Sequence, residues 1–358
     1  MQTCTPPDST VYYNSTYWND LPPVIEHISE ICTGDRQKWW VPGFKERYCE
    51  RGPFEHGLFL ACGNGWVERE FVDWGIVRRA TAFDYSRELL RAAERERGER
   101  DITYFQADAN TIDFEPDSFD LIVNVGALHH VQYLDRLCRI LCKALTVDGV
   151  LVGYDYVGPS RNQYSRRHWR LIQKTNESLP PFLHKDTLTY PHLPTMVATD
   201  PTEAIHSDLE LPVLRRYFSS LEHHDLGGGI AYEVLSHNEK LDAVPAEDLA
   251  PELEKLLELD RSLTASGRIP TLFSYYVLRA DKRTLAASEL DRFRREENRR
   301  EALASRFMAA YSVGGFLKLF LNRNYHRVRS RPKLLRFLRR VAGRVKRRLG
   351  RALRRGGR

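Results

Sequence analysis

The chain reads as an α/β protein on a doubly wound sheet, with an insertion or lid and a basic helical C-terminal extension. Three observations predict this. Apolar runs alternate with amphipathic stretches from Gly57 to Gly158, at the pace of strands and helices in such sheets. The run Leu58–Cys62 enters a turn bearing Gly63 and Gly65 and leaves as a helical pattern, "LFLACGNGWVEREF". A third run, "FDLIVNVGAL", is near-continuously apolar, which suits a parallel strand covered on both faces.

The elements follow in order. Residues 1–50 are aromatic and proline-bearing, and Val24, Ile28 and Ile31 after Pro22-Pro23 predict a short helix. The helix after the glycine turn carries Val67, Phe71 and Trp74 on one face. "RATAFDYS" predicts a second strand ending at Asp84, and Ser86 is placed to cap a helix that buries Leu89, Leu90 and Ala93. "ITYFQAD" and "FDLIVNVGAL" are strands three and four. "LDRLCRILCKALTVDG" predicts a helix closed by Gly149, and "VLVGYDYVG" a fifth strand. Residues 160–200 lose periodicity and are rich in Arg, Tyr, His and Pro, the reading of an insertion or lid. A helix, a strand and a Gly-rich turn then lie in "PVLRRYFSSLEHHDLGGGIAYEVL", an amphipathic helix in "PELEKLLELDRSLTASG" and a last strand in "IPTLFSYYVLRA". The chain thus divides into an N-terminal segment 1–50, a domain 51–281 with its insertion at about 160–200, and an extension 282–358.

Composition bounds the classes. At 42% hydrophobic and 28% charged over 358 residues, the chain is globular, and no apolar run approaches a membrane span. "MQTCTPPDST" has neither a basic start nor an apolar core, so no secretory signal is read and a cytoplasmic location is expected. Six cysteines in a chain this long make no disulfide framework; Cys138 and Cys142, one helical turn apart, read as packing. No Cys or His pair has a convincing ligand spacing, and no metal site is expected. The net charge of +6 conceals a division. From Ala302 onward there are 18 Lys and Arg and no acid, leaving 36 basic against 48 acidic residues before it.

The chain resembles a class I S-adenosylmethionine-dependent methyltransferase, with its Rossmann-like sheet. "LFLACGNG" resembles that family's first motif, and "ATAFDYS" the second, where an acid closes strand two. "QADANTIDFEPDSFDLIVNVGALHHV" is similar to the third and fourth, and "LCKALTVDGVLVGYDY" to the helix, glycine and strand that follow. "DYVGPSRNQYS", "DPTEAIHSD" and "DLGGGIAYEVL" resemble more loosely a bacterial subgroup linked with cell-surface polysaccharide assembly. Two positions depart from the first motif: Phe59 stands where an acid helps hold the methionine amino group, and Ala61 stands for the first glycine.

The resemblance implies S-adenosylmethionine as cofactor. Gly63 and Gly65 let the main chain pass beneath the methionine and ribose, or make a plain tight turn. Asp84 lies 19 residues past Gly65, near the spacing at which an acid meets ribose hydroxyls; alternatively it is a helix N-terminal acid. By resemblance Asp108 accepts from the adenine amino group and Ala109 offers its N–H, while Ala61, Tyr85 and Asn124 complete the cofactor set.

Methyl transfer is an in-line displacement at a sulfonium, so alignment is the larger part of catalysis. An oxygen nucleophile also needs a base. His129 and His130 end strand four at the ligand edge, and either is a candidate, His130 foremost; the alternative is packing or helix capping. Asp155 ends strand five beside them, to orient an acceptor hydroxyl or assist a histidine, or to cap a loop. Arg161, Arg166, Arg167, His168 and Trp169 offer contacts to an anionic or sugar acceptor, or a solvated lid.

In the tail, Leu334, Leu338, Val341, Val345, Leu349 and Ala352 form one apolar stripe among arginines. That pattern suits an anionic membrane surface reached through 323–358; RNA, or the acidic body of the same protein, is the rival. The leading expectation is O-methylation of a glycan, glycolipid precursor or small molecule, by an enzyme peripheral at the inner membrane face. An RNA or metabolite methyltransferase and a non-catalytic scaffold are the alternatives. A nicotinamide enzyme is disfavoured, since Ala-Cys-Gly-Asn-Gly lacks G-x-G-x-x-G spacing.

Overall fold

A computed structural model of the protein describes residues 17–286. The stretch before Tyr17 and the basic stripe of 323–358 lie outside the described residues.

Seven strands form one sheet: β1 (Phe54–Phe59), β2 (Val77–Asp84), β3 (Ile102–Gln106), β4 (Phe119–Val125), β5 (Leu145–Tyr156), β6 (Phe218–Gly227) and β7 (Phe273–Ala280). Their order is β3-β2-β1-β4-β5-β7-β6. The first five are parallel, and β7 lies antiparallel between β5 and β6. The winding direction changes between β1 and β4, so a crevice opens at their carboxyl ends.

The helices are α1 (Pro22–Thr33), α2 (Trp40–Tyr48), α3 (Trp66–Asp73), α4 (Arg87–Glu96), α5 (Leu134–Ala144), α6 (Arg166–Ser178), α7 (Leu193–Thr199), α8 (Glu210–Tyr217), α9 (Ala231–Leu235) and α10 (Ala246–Ala265). Adjacent β1 residues serve opposite faces of the sheet. Phe59 packs with α1, α2, α3 and α10 through Ile28, Phe44, Phe71 and Leu253, whereas Leu58 packs with α5 and α8 through Leu141 and Val213. The N-terminal helices are therefore part of the main core: Trp40, buried, stacks on Tyr154 at 6.5 Å and leans on Tyr275 at 5.6 Å. Ser86 caps α4 as expected, its Oγ accepting from the Leu89 N–H at 3.3 Å.

Three expectations are corrected. The fifth helix does not run to Gly149 but ends at Ala144, and Leu145 already pairs with Phe119 as strand. β-Branched Thr146 and Val147 favour that exit. Gly149 is needed for a close approach, because a Cβ there would sit 2.8 Å from the Asp120 carbonyl oxygen. Trp74 leaves the buried face of α3 and is exposed. The insertion is ordered as helix: Ser165 Oγ accepts from the His168 N–H, and α6 buries His168, Trp169 and Ile172.

Gly153 marks the tightest crossing. It faces Tyr276 across the β5–β7 ladder, and an added Cβ would lie 2.2 Å from the buried ring. Gly153→Ala is expected to cost about 1–3 kcal/mol, the usual penalty for overpacking a core. Denaturant midpoints of the two proteins measure it; equal midpoints would show that the ring moves freely.

Candidate active site

A cavity of about 2280 Å³ opens at the carboxyl edge of the sheet. It exceeds the ~300–1,000 Å³ of single-ligand sites and has room for two molecules.

One end is built from backbone. Between β1 and α3 the chain passes through positive φ at Ala61 (41°), Gly63 (57°) and Gly65 (82°). Glycine accepts this freely, but alanine does so at a cost of roughly 1–2 kcal/mol. Asp84, at the end of β2, fixes the turn: Oδ2 accepts the Gly63 N–H at 2.9 Å and Oδ1 the Ser86 N–H at 2.7 Å. With the Tyr85 N–H also directed at the carboxylate, one of its four lone-pair sites stays open to a ligand. Burial raises the Asp84 carboxyl above its ordinary value, opposed by the N–H groups of Ser86, Gly63 and Tyr85. Asp108 and Ala109 follow β3 on the same wall, and Asp108 Oδ1 accepts from both the backbone and side-chain nitrogens of Asn110. Tyr85 also lines this end.

Asn124 does not. It is fully buried behind the wall, donating its amide to Asp155 at 2.8 Å and to the Tyr276 hydroxyl at 2.7 Å. Its Oδ1 accepts the Leu128 N–H at 3.0 Å, so it positions the other end of the site.

That other end centres on Asp155. Its carboxylate is buried and accepts four donors: His129 Nδ1 (2.5 Å), Asn124 Nδ2 (2.8 Å), Leu128 N (2.9 Å) and Tyr156 N (2.7 Å). Burial alone would raise its pKa, but His129 and these donors outweigh it and hold the carboxyl below its ordinary value. His129 shows the reverse balance. Burial disfavours its charge, yet Asp155 and then Glu203 hold it well above the ordinary histidine value. Burial and the His129 charge push His130 down.

The sequence carries no sign of Glu203 in this role. The turn between α7 and α8 brings its Oε2 to 3.8 Å from the Nε2 of both histidines. Against the expectation of no metal site, His129, His130 and Glu203 place their ligand-type atoms within 4.8 Å of one another. Of the insertion residues offered as acceptor contacts, Arg161 lines the cavity, while Arg166 and Arg167 are exposed and do not. Arg161 Nη1 donates to the Pro201 and Glu203 carbonyls, His168 Nε2 bonds the Gly229 carbonyl, and Trp169 packs in the core.

Comparison with known proteins follows this geometry. Residues 58–153 match the family model described as "Methyltransferase domain". A curated relative, malonyl-[acyl-carrier protein] O-methyltransferase of Bacillus cereus, is 26% identical over 108 residues, 30% of this chain and 39% of that protein. The chain thus spans about two-fifths of that relative's length. Among solved structures, an S-adenosylmethionine-dependent methyltransferase from Mesorhizobium loti is similar at 20% identity and TM-score 0.42, over 67% of this chain and 96% of that one. Phosphoethanolamine N-methyltransferase 2 of Haemonchus contortus, in complex with S-adenosyl-L-methionine, is similar at 14% and 0.44, over 75% and 60%.

Strand order and glycine turn agree with the methyltransferase-domain match over residues 58–153, and the sheet has the Rossmann-like methyltransferase fold. S-adenosylmethionine is the cofactor that the sequence resemblance implies. The residues present fit that cofactor: a bare turn, a buried carboxylate with a lone pair to spare, and Asp108 with Ala109 on one continuous wall. Glu68 lines the same wall from the first turn of α3, where its carboxyl faces Tyr104 beside Gly65.

Two outcomes are expected. Asp84→Ala is expected to weaken S-adenosylmethionine binding by about 1.5–3 kcal/mol, the worth of hydrogen bonds to a charged acceptor. Titration calorimetry reads this, and unchanged affinity would remove Asp84 from the ribose contact. The second outcome concerns Glu68, whose pKa burial pushes from 4.5 up to about 7. The folded protein then holds a proton that the unfolded chain releases, so stability falls as pH rises from 4.5 to 7. Glu68→Gln is expected to gain about 3 kcal/mol on the wild type between pH 4.5 and pH 8. Denaturation at both pH values tests it; a constant difference would return the carboxyl to its ordinary range.

Proposed function

We propose that the protein transfers a methyl group from S-adenosylmethionine to a hydroxyl oxygen of a glycan, a glycolipid precursor or another small molecule. The observation that carries this reading is the single cavity joining the Asp84 turn to the His129–Asp155 pair. The cofactor supplies an electrophilic methyl on a sulfonium. Asp84 and the glycine turn would hold the ribose and methionine, and Asp108 the adenine. The acceptor would lie against His129, His130 and Glu203, which serve to strip its proton; His130, held neutral by burial, is the imidazole able to accept it. The relative named as an O-methyltransferase also favours oxygen.

We extend the reading to location. The basic stripe of 323–358 would rest the enzyme on the anionic inner face of a membrane, with RNA as the competing polyanion. No helix among the described residues is long and apolar enough to cross a membrane.

His130→Ala is expected to lower turnover by about 10²–10⁴ while leaving cofactor affinity nearly intact. Labelled S-adenosylmethionine offered with glycan and small-hydroxyl pools supplies the assay. Loss of cofactor binding with normal saturated turnover would make His130 a pocket wall.

A further inference from the structure

We propose that His129, His130 and Glu203 bind one divalent transition-metal ion at the acceptor end of the cavity. This rests on the reading of that end as the acceptor's place.

The argument begins with protons. Thr202 Oγ1 donates its only proton to Asp200 Oδ1 at 2.7 Å, so it must accept from His130 Nδ1, which lies 3.1 Å away. His130 therefore carries its proton on Nδ1. His129 Nδ1 is likewise the proton-bearing atom, since it faces the Asp155 carboxylate at 2.5 Å. Both Nε2 atoms are thus the coordinating nitrogens, and both lie 3.8 Å from the same Glu203 oxygen. Metal-binding histidines are set up in this way, with the remote N–H held by a carboxylate or hydroxyl that fixes tautomer and ring angle.

A base requires one such nitrogen; here two converge on a carboxylate. Tetrahedral ligands about 2.0–2.2 Å from a common ion lie roughly 3.3–3.6 Å from each other; the Glu203 oxygen lies 3.8 Å from each nitrogen, and all three ligand atoms lie within 4.8 Å of one another. Its segment is already anchored, because the Ile205 N–H donates to the His129 carbonyl at 3.0 Å. Two imidazoles and one carboxylate select Zn²⁺, Mn²⁺, Fe²⁺ or Co²⁺ over the harder Mg²⁺ and Ca²⁺. Binding displaces any proton on the Nε2 atoms.

Three protein ligands leave at least one position for the acceptor, and a wider coordination sphere seats two adjacent oxygens, as in the vicinal diol of a sugar. With the ion bound, His130 acts as a ligand rather than as the base; a hydroxyl on the ion ionises more readily, and its proton leaves to water. The oxygen lone pair then forms the O–CH3 bond as the S–CH3 bond breaks. The bonding pair stays on sulfur, which becomes a neutral thioether, and the ion changes neither charge nor oxidation state.

The test uses full-length protein, stripped with a chelator and titrated with Zn²⁺, with Co²⁺ absorption as a ligand-field probe. S-adenosylmethionine binding is measured alongside. One ion per chain is expected, with affinity lowered at least tenfold in Glu203→Gln and in His130→Ala, while both variants keep the cofactor. Methyl transfer should vanish on chelation and return with the ion. Protein that binds S-adenosylmethionine yet takes up no ion at micromolar concentration overturns the proposal, as does uptake unchanged in both variants. Uptake of the ion without cofactor binding would instead sink the methyltransferase reading and leave the metal site standing.

Discussion

The Asp155 carboxylate is the constraint on which the histidine end of the cavity depends. A buried carboxylate without partners costs several kcal/mol, so every element around it must supply a donor. β4 supplies Asn124, the turn after it Leu128 and His129, and β5 the Tyr156 N–H. The requirement travels outward. Asn124 spends its second N–H on Tyr276 of β7, whose hydroxyl in turn donates to Glu210 of α8. Burial pushes the Glu210 carboxyl well up, with the nearby Asp155 charge adding to it. The antiparallel insertion of β7 next to β5 is what brings Tyr276 within reach.

Buried aspartates repeat this role elsewhere. Asp84 ties the glycine turn to the end of β2, and Asp260 of α10 accepts the N–H groups of Gly229, Ile230 and Ala231. The Gly-rich stretch after β6 thus has its explanation: close backbone packing around a carboxylate, with Gly227 and Gly228 at positive φ. In each case one side chain fixes a loop that the sheet alone leaves open. The cavity walls are rigid because those loops are.

This separates what was legible in the sequence from what was not. The parallel strands, the cap at Ser86 and the glycine turn are local, written in periodicity and in single residue types. Asp84 and the histidine pair line the cavity as expected, because they sit at strand ends, where chain position alone sends them to the carboxyl edge of the sheet. Asn124 also sits near a strand end, but its side chain faces the buried network, and the pattern of β4 does not reveal which side chain meets Asp155. Glu203 comes from a non-periodic turn, so only tertiary contact could place it. The α6 helix was missed because Arg and Lys dominate its exposed face, leaving His168, Trp169 and Ile172 as a narrow buried stripe.

The division of the cavity follows from these origins. The glycine-turn end, and Asp155 with His129, come from the sheet and from turns that any such sheet must make. The opposing wall, with Glu203, Thr202 and Arg161, comes from the insertion and the turn that follows it. That wall is held under strain: Arg161 and Asn162 are consecutive non-glycine residues at φ 56° and 50°. Such conformations cost on the order of 1–3 kcal/mol each and persist only where surrounding bonds over-determine them. Here the Arg161 N–H donates to the Ala204 carbonyl at 2.6 Å, and its guanidinium to Pro201 and Glu203. The insertion is therefore laced to the turn that carries Glu203, and it acts as a preformed wall rather than a loose flap. This wall can change without disturbing the other end of the cavity, because none of its bonds passes through Asp84 or the glycine turn.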